Sequence, residues 1–146
     1  MLKNEFGDGF VMEQKPPHFG IFCYLDEVKV DFVSHPYPLI RKPKEIDGIR
    51  MFSAEDIIAM KVQAIFQRGR KKDFYDISEL LMHFPVQDFI KFHKEKYATQ
   101  NLLITVPQAI TYFADAEEDL DPIGLKGQTW NEVKESISSK VREYLG

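Results

Sequence analysis

Hydrophobic and polar residues alternate along this chain with two different periods, and the change of period divides it. In residues 28–33, Val28, Val30 and Phe32 share one face while Lys29, Asp31 and Val33 share the other, the period of two expected of a strand. Residues 19–25 are aromatic and β-branched, and the pair Asp26-Glu27 between the runs predicts a tight turn, hence an antiparallel hairpin. A further strand over 10–14 is broken off by Pro16-Pro17, which cannot donate to a central ladder. Pro36, Pro38 and Pro43 exclude a regular helix from residues 34–50, which read as a connector. A short edge strand over 49–52 follows the turn Asp47-Gly48.

Beyond residue 52 the pattern becomes helical. Ser53, with Glu55 and Asp56 in the first turn, caps a helix that runs to Arg68 and ends at Gly69. Further helices are predicted over 72–83, halted by Pro85, over 86–97, over 107–115 with Pro107 in the first turn, and over 129–141. Residues 116–127 are acidic and rich in turn formers. The fold class expected is α+β: a small antiparallel β-sheet over 1–52, then a helical bundle over 53–146.

Composition narrows the picture. A chain of 146 residues that is 44% hydrophobic and 29% charged can bury a core and stay ordered. Its net charge of -4 and pI of about 5.6 argue against a protein that coats nucleic acid nonspecifically. Cys23 is the single cysteine, so no internal disulfide forms. No apolar run reaches the roughly 18 residues of a membrane helix. The start, MLKNEFGDGF, lacks the order of a signal peptide. A cytoplasmic protein is expected.

Three places offer chemistry. Asp31 sits in the apolar strand VKVDFV, where an ionised carboxylate either faces solvent beside Lys29 or is held rigidly as a metal ligand. Lys61 lies on or beside the apolar stripe of the first long helix, so it reaches solvent along its stem or meets an anion. The densest feature is QRGRKKDFYDISELL. Arg68, Arg70, Lys71 and Lys72 precede Asp73 and Asp76 across a helix-to-helix turn. Arginines suit phosphate, and a helix N-terminus adds donors. The two aspartates, one turn apart, either cap that helix and pair with Arg70 or Lys61, or act in chemistry. The acidic run 115–121 lacks the glycine and ligand order of a calcium loop and reads as an exposed loop. His18, His35, His83 and His93 show no metal-ligand spacing, and Gly7 and Gly9 lack the strand-to-helix context of a phosphate loop.

The succession VKVDFVSHPYPLI, IDGIRMFSAEDIIAMKVQAIFQRGRKKDFYDISELL and ITYFADAEEDLDPIGLKGQTWNEVK resembles the AbiEii/AbiGii toxin group of nucleotidyltransferase-fold proteins. The resemblance covers nearly the whole chain, and its middle block is the most specific part. It implies transfer of a nucleotide from a nucleoside triphosphate, with Mg²⁺, to an RNA (tRNA included) or protein acceptor. It also implies an antitoxin partner and a role in abortive infection. By position, Asp31 would be the strand carboxylate and metal ligand. Lys61, Asp73 and Asp76 would be catalytic, and Arg68, Arg70 and Lys72 would bind the nucleotide.

One departure changes the expectation. The fold opens with a Gly-Gly or Gly-Ser turn and an Asp-x-Asp pair on a neighbouring strand, and neither precedes Asp31; the nearest strings are Gly7-Asp8-Gly9 and Asp26-Glu27. Two-metal transfer needs several converging carboxylates. The chain is therefore expected to begin after that element and to be inactive alone, as part of a longer enzyme. Next in order come a degenerate, non-catalytic member serving as a protein-interaction or nucleotide-binding module, and a half-site completed by another chain. An open sheet edge predicts a homo-oligomer.

Overall fold

A computed structural model describes residues 1–12, 19–124 and 126–146. Its contacts divide the chain into two units, Met1–Tyr37 and Pro38–Gly146. The end of the predicted strand 10–14, Pro16-Pro17 and His18 lie outside the described residues.

The first unit opens with a one-turn helix that the residue pattern did not predict, α1 (Leu2–Phe6), and a 3-10 turn at Gly7–Gly9. Strands β1 (Phe10–Met12), β2 (Gly20–Leu25) and β3 (Val28–Val33) then form an antiparallel sheet in the order β1-β2-β3. The hairpin predicted around Asp26-Glu27 is present, with Leu25 opposite Val28 and Gly20 opposite Val33. Both turn residues take positive φ, 47° at Asp26 and 69° at Glu27. That conformation matches the twist of a two-residue hairpin, at a steric cost to side chains other than glycine. Gly20 is required for space, because a Cβ there would stand 2.8 Å from the Phe32 carbonyl oxygen. Cys23 is fully buried, whereas Val11, Phe19, Val28 and Val33 are each more than half exposed.

In the second unit the predicted connector contains a strand of its own. Strand β4 (Lys44–Ile46) pairs with β5 (Ile49–Met51) across Asp47 and Gly48, both at positive φ. A turn of that kind closes a hairpin locally, so Pro43 only marks the position before β4 begins.

Five helices follow: α2 (Ala54–Gln67), α3 (Lys71–Leu80), α4 (Val86–Lys96), α5 (Val106–Ile110) and α6 (Trp130–Leu145). Their order is the predicted one, and three ends differ by more than one residue. Helix α3 stops three residues early in turns, since Pro85 disfavours helical backbone at Phe84. Helix α5 ends at Ile110 because the Thr111 hydroxyl donates back to the Pro107 carbonyl at 2.8 Å, drawing the chain out of its helical path. Helix α6 continues to Leu145, four residues further than predicted. Its buried residues Val133, Ile137 and Val141 recur every four, the stripe of a helix lying on a core. Ile58, Val62, Phe74, Ile77, Phe89, Ile110 and Ile137 fill that core.

One buried ion pair ties this unit together. Ser53 caps α2 as predicted, accepting from the Asp56 amide at 3.1 Å. Asp56 also does more than complete the cap. Its carboxylate is fully buried and lies 2.7 Å from Lys96 Nζ, itself buried at the end of α4. It accepts further hydrogen bonds from the Ile40 amide at 3.0 Å, the Arg41 amide at 3.2 Å and the Ser53 hydroxyl at 2.7 Å. Lys96 donates in addition to the Pro38 carbonyl at 2.8 Å and lies over the Phe52 ring. Burial alone would raise the Asp56 pKa; Lys96 and the three other donors overcome it and hold it at about 2.

Two outcomes follow. Asp56→Ala leaves Lys96 charged and buried without its counter-ion, and should cost about 3–5 kcal/mol in urea unfolding. Because the folded pKa of about 2 lies below the ordinary 3.8, the contribution of Asp56 is complete above 3.8 and lost as pH falls toward 2. An acid titration of stability should show that loss in the native chain and lack it in Asp56→Asn. Separately, Glu27→Gly relieves a left-handed side chain and should stabilise the hairpin by about 1 kcal/mol, read as slower amide exchange in β2 and β3.

Candidate functional site

Helices α2 and α3 meet at Gly69, whose positive φ of 51° lets the chain reverse after Arg68. The reversal faces Lys61, one and a half turns before the end of α2, toward the first turns of α3. Lys61 Nζ stands 3.2 Å from Asp73 Oδ1 and 2.5 Å from Asp76 Oδ2. Arg68 Nε approaches Asp73 Oδ2 at 3.3 Å. Asp73 is thus the hub of the cluster, its side chain fully buried, while that of Asp76 is 50% exposed. Burial works against the charge on Lys61, but Asp76 and Asp73 outweigh it and raise its pKa above the ordinary lysine value.

The other cations part company here. Arg70 turns to Asp119, at 3.8 Å, and Lys72 is exposed with no ion pair among the described residues. The expected donors at the start of α3 are also in use, because the Lys71 amide donates to Asp119 Oδ2 at 2.9 Å. Asp73 pairs with Lys61 and Arg68, not with Arg70.

Lys71 proves to be a structural residue. Its side chain is buried and donates to the Asp119 carbonyl at 2.6 Å and to Asp121 Oδ1 at 3.1 Å. The acidic run is mostly exposed, as expected, and is also fastened down. Glu117 completes the attachment, accepting from Trp130 Nε1 at 3.0 Å and Lys134 Nζ at 2.8 Å. Lys134 first, then the indole N–H, hold its pKa below the ordinary carboxylate value. Trp130 stacks on Tyr75, and the ammonium groups of Lys71 and Lys134 stand 5.3 and 5.4 Å from its ring centre. The signal for this seam was in the sequence as two complementary runs, RKK and DAEEDLD.

The remaining candidates belong to other elements. Asp31 is exposed on β3, in the first unit. Buried His93 accompanies Gln63 Oε1 at 2.9 Å, and burial lowers its pKa to about 4, so it is neutral. Among the described residues no group of three His, Cys, Asp or Glu side chains could hold a metal ion. A hollow of about 830 Å³ lies between the ends of α4 and α6 and the start of α5, lined by Tyr97, Leu102, Leu103, Val106 and Tyr144. It contains none of the cluster residues, and its apolar walls give it no claim on phosphate. Among the described residues no helix is long and apolar enough to cross a membrane.

The arrangement offers one neutralised carboxylate–cation network with a half-exposed rim. Comparison with known proteins gives the family of the chain. Residues 19–143 match the model of the family described as nucleotidyl transferase AbiEii toxin, type IV toxin–antitoxin system. The chain is 37% identical over 129 residues to an uncharacterized protein of Aquifex aeolicus (strain VF5), an alignment taking in 83% of this chain and 59% of that protein. The chain thus spans somewhat over half the length of this relative. No solved structure matches. With its α2–α3 cluster inside the matched region, the chain belongs to the AbiEii family of nucleotidyl transferase toxins.

Proposed function

We propose that this chain supplies the helical, phosphate-facing part of an AbiEii-type nucleotidyl-transfer site and does not complete transfer by itself. The observation that carries this reading is the shared anchoring of Lys61 and Arg68 on buried Asp73, which fixes two cations at a rim where Arg68 remains 52% exposed. Rigidly held cations suit a triphosphate, and a guanidinium can contact it at two points. Asp73 is then a positioning residue. Asp76, with half its side chain in solvent, is the carboxylate able to meet substrate. Lys72, with no ion pair among the described residues, adds a positive charge nearby in sequence, and Arg70 would first have to leave Asp119. Asp31 is the strand carboxylate and metal ligand in this reading. The described donors do not by themselves make a Mg²⁺ site. The acceptor is RNA, tRNA included, or protein, the setting is the cytoplasm of a cell under phage attack, and an antitoxin is the partner.

A second reading, a non-catalytic interaction module that self-associates, is favoured by the apolar exposure of the first unit. Val28 is 63% and Phe19 58% exposed, more than a small sheet normally leaves to water.

Titration of the chain with tripolyphosphate and with Mg²⁺ and each nucleoside triphosphate tests the first reading. Binding should fall at least about tenfold in Arg68→Gln and weaken with salt. Incubation with labelled triphosphates and tRNA should leave the RNA unlabelled. Absence of phosphate binding, or binding indifferent to Arg68, defeats the phosphate reading; labelled RNA defeats the claim of incompleteness. The two aspartates should also separate. Asp73→Asn, which leaves two cations facing a neutral amide, should cost about 3 kcal/mol of stability, whereas Asp76→Asn should cost under about 1 kcal/mol.

A further inference from the structure

The two arginines that flank Gly69 are held in different ways, and the difference lies in their carboxylates. Arg68 leans on Asp73, whose side chain is fully buried and has no solvent to turn into. Arg70 leans on Asp119 at 3.8 Å, and that carboxylate is 27% exposed. A pair so long and so open to water contributes little, and a more highly charged anion outcompetes it. Two residues span at most about 7 Å of chain, so Arg70 stands within reach of a polyphosphate held by Arg68.

Asp119 Oδ2 also accepts from the Lys71 amide, at 2.9 Å. One carboxylate thus takes up a guanidinium and a main-chain amide from adjacent residues, donors that phosphate oxygens also use. The acidic segment itself is fastened independently of that carboxylate. Lys71 Nζ donates to the Asp119 carbonyl at 2.6 Å and to Asp121 Oδ1 at 3.1 Å, and Glu117 is held by Trp130 and Lys134. The Asp119 side chain is therefore free to turn out to solvent while the segment stays in place.

We propose that Asp119 is an internal competitor for phosphate at the α2–α3 turn: its carboxylate occupies Arg70 and the Lys71 amide, and a polyphosphate bound there displaces it. The competition rests on the phosphate reading of the cluster and adds its regulation. The exchange leaves no donor without a partner, because the incoming oxygens take over the guanidinium and the amide together while the displaced carboxylate enters water. Displacement draws on the binding of the phosphate, so the native chain holds polyphosphate less tightly than its cations allow. Lys61 and Arg68, anchored on a buried aspartate, meet any anion that arrives. Arg70 joins them only for a ligand whose hold on it exceeds that of Asp119.

The test is calorimetric titration of tripolyphosphate into the 146-residue chain and its variants, with circular dichroism and thermal melting confirming that each is folded. Asp119→Asn keeps an oxygen for the Lys71 amide but removes the charge facing Arg70, and should tighten binding about three- to fivefold. Arg70→Gln in that background should abolish the gain. A second readout needs no change at position 119: in the native chain, tripolyphosphate should shift the backbone amide resonance of Lys71 with the midpoint of binding. Unchanged or weaker binding in Asp119→Asn, a gain that survives Arg70→Gln, or a Lys71 amide that stays still at saturation overturns the competition. Binding that falls in Arg68→Gln yet ignores Asp119→Asn overturns the competition alone. No binding by any variant overturns the competition and the phosphate reading together.

Discussion

The second unit is organised around a carboxylate that has no access to water. Asp56 accepts from Lys96, from two backbone amides of the entering segment and from the hydroxyl that caps its own helix. A buried ion pair need not add net stability, because desolvating two charges is expensive. What it fixes here is geometry. The start of α2, the end of α4 and residues 38–41 must converge on one point, since each supplies a donor or acceptor the others cannot replace. The α2–α3 cluster inherits that placement, because Lys61 lies five residues along the helix whose first turn Asp56 anchors.

Local signals made much of the fold legible. The period of two marked β3, an aromatic and β-branched run marked β2, and Ser53, Gly69 and Pro85 bounded the helices, because caps and breakers act within a few residues. Long-range partners were not legible. Asp56 looked like an ordinary first-turn acid, and Lys96 like one of several cations ending a helix; forty residues separate them. Strand β4 was hidden by the prolines that precede it and by its own charges. Its pairing follows from a turn that acts on both flanks at once, which reading one flank does not detect.

The cluster teaches a similar lesson about charge. Four cations in five residues suggested one positive surface, yet each found a different role. Arg68 leans on a buried aspartate, Arg70 on the acidic segment, Lys71 disappears beneath it, and Lys72 stays in solvent. Proximity in sequence set only their neighbourhood. The sorting came from which carboxylates the fold delivered: Asp73 from the same turn, Asp119 from a segment nearly fifty residues on.

Trp130 is the only tryptophan of the chain, and it stands where α3, α6 and the acidic segment meet. Its ring stacks on Tyr75, contacts Phe74 and Phe113 edge-on, and has an ammonium group near its face from each of two lysines. Its N–H is fastened to Glu117. An indole so placed emits from an environment that exists only while the seam is closed. The native protein thus contains a built-in optical gauge of its own assembly, readable without any label, at the side of α3 that holds the acidic segment.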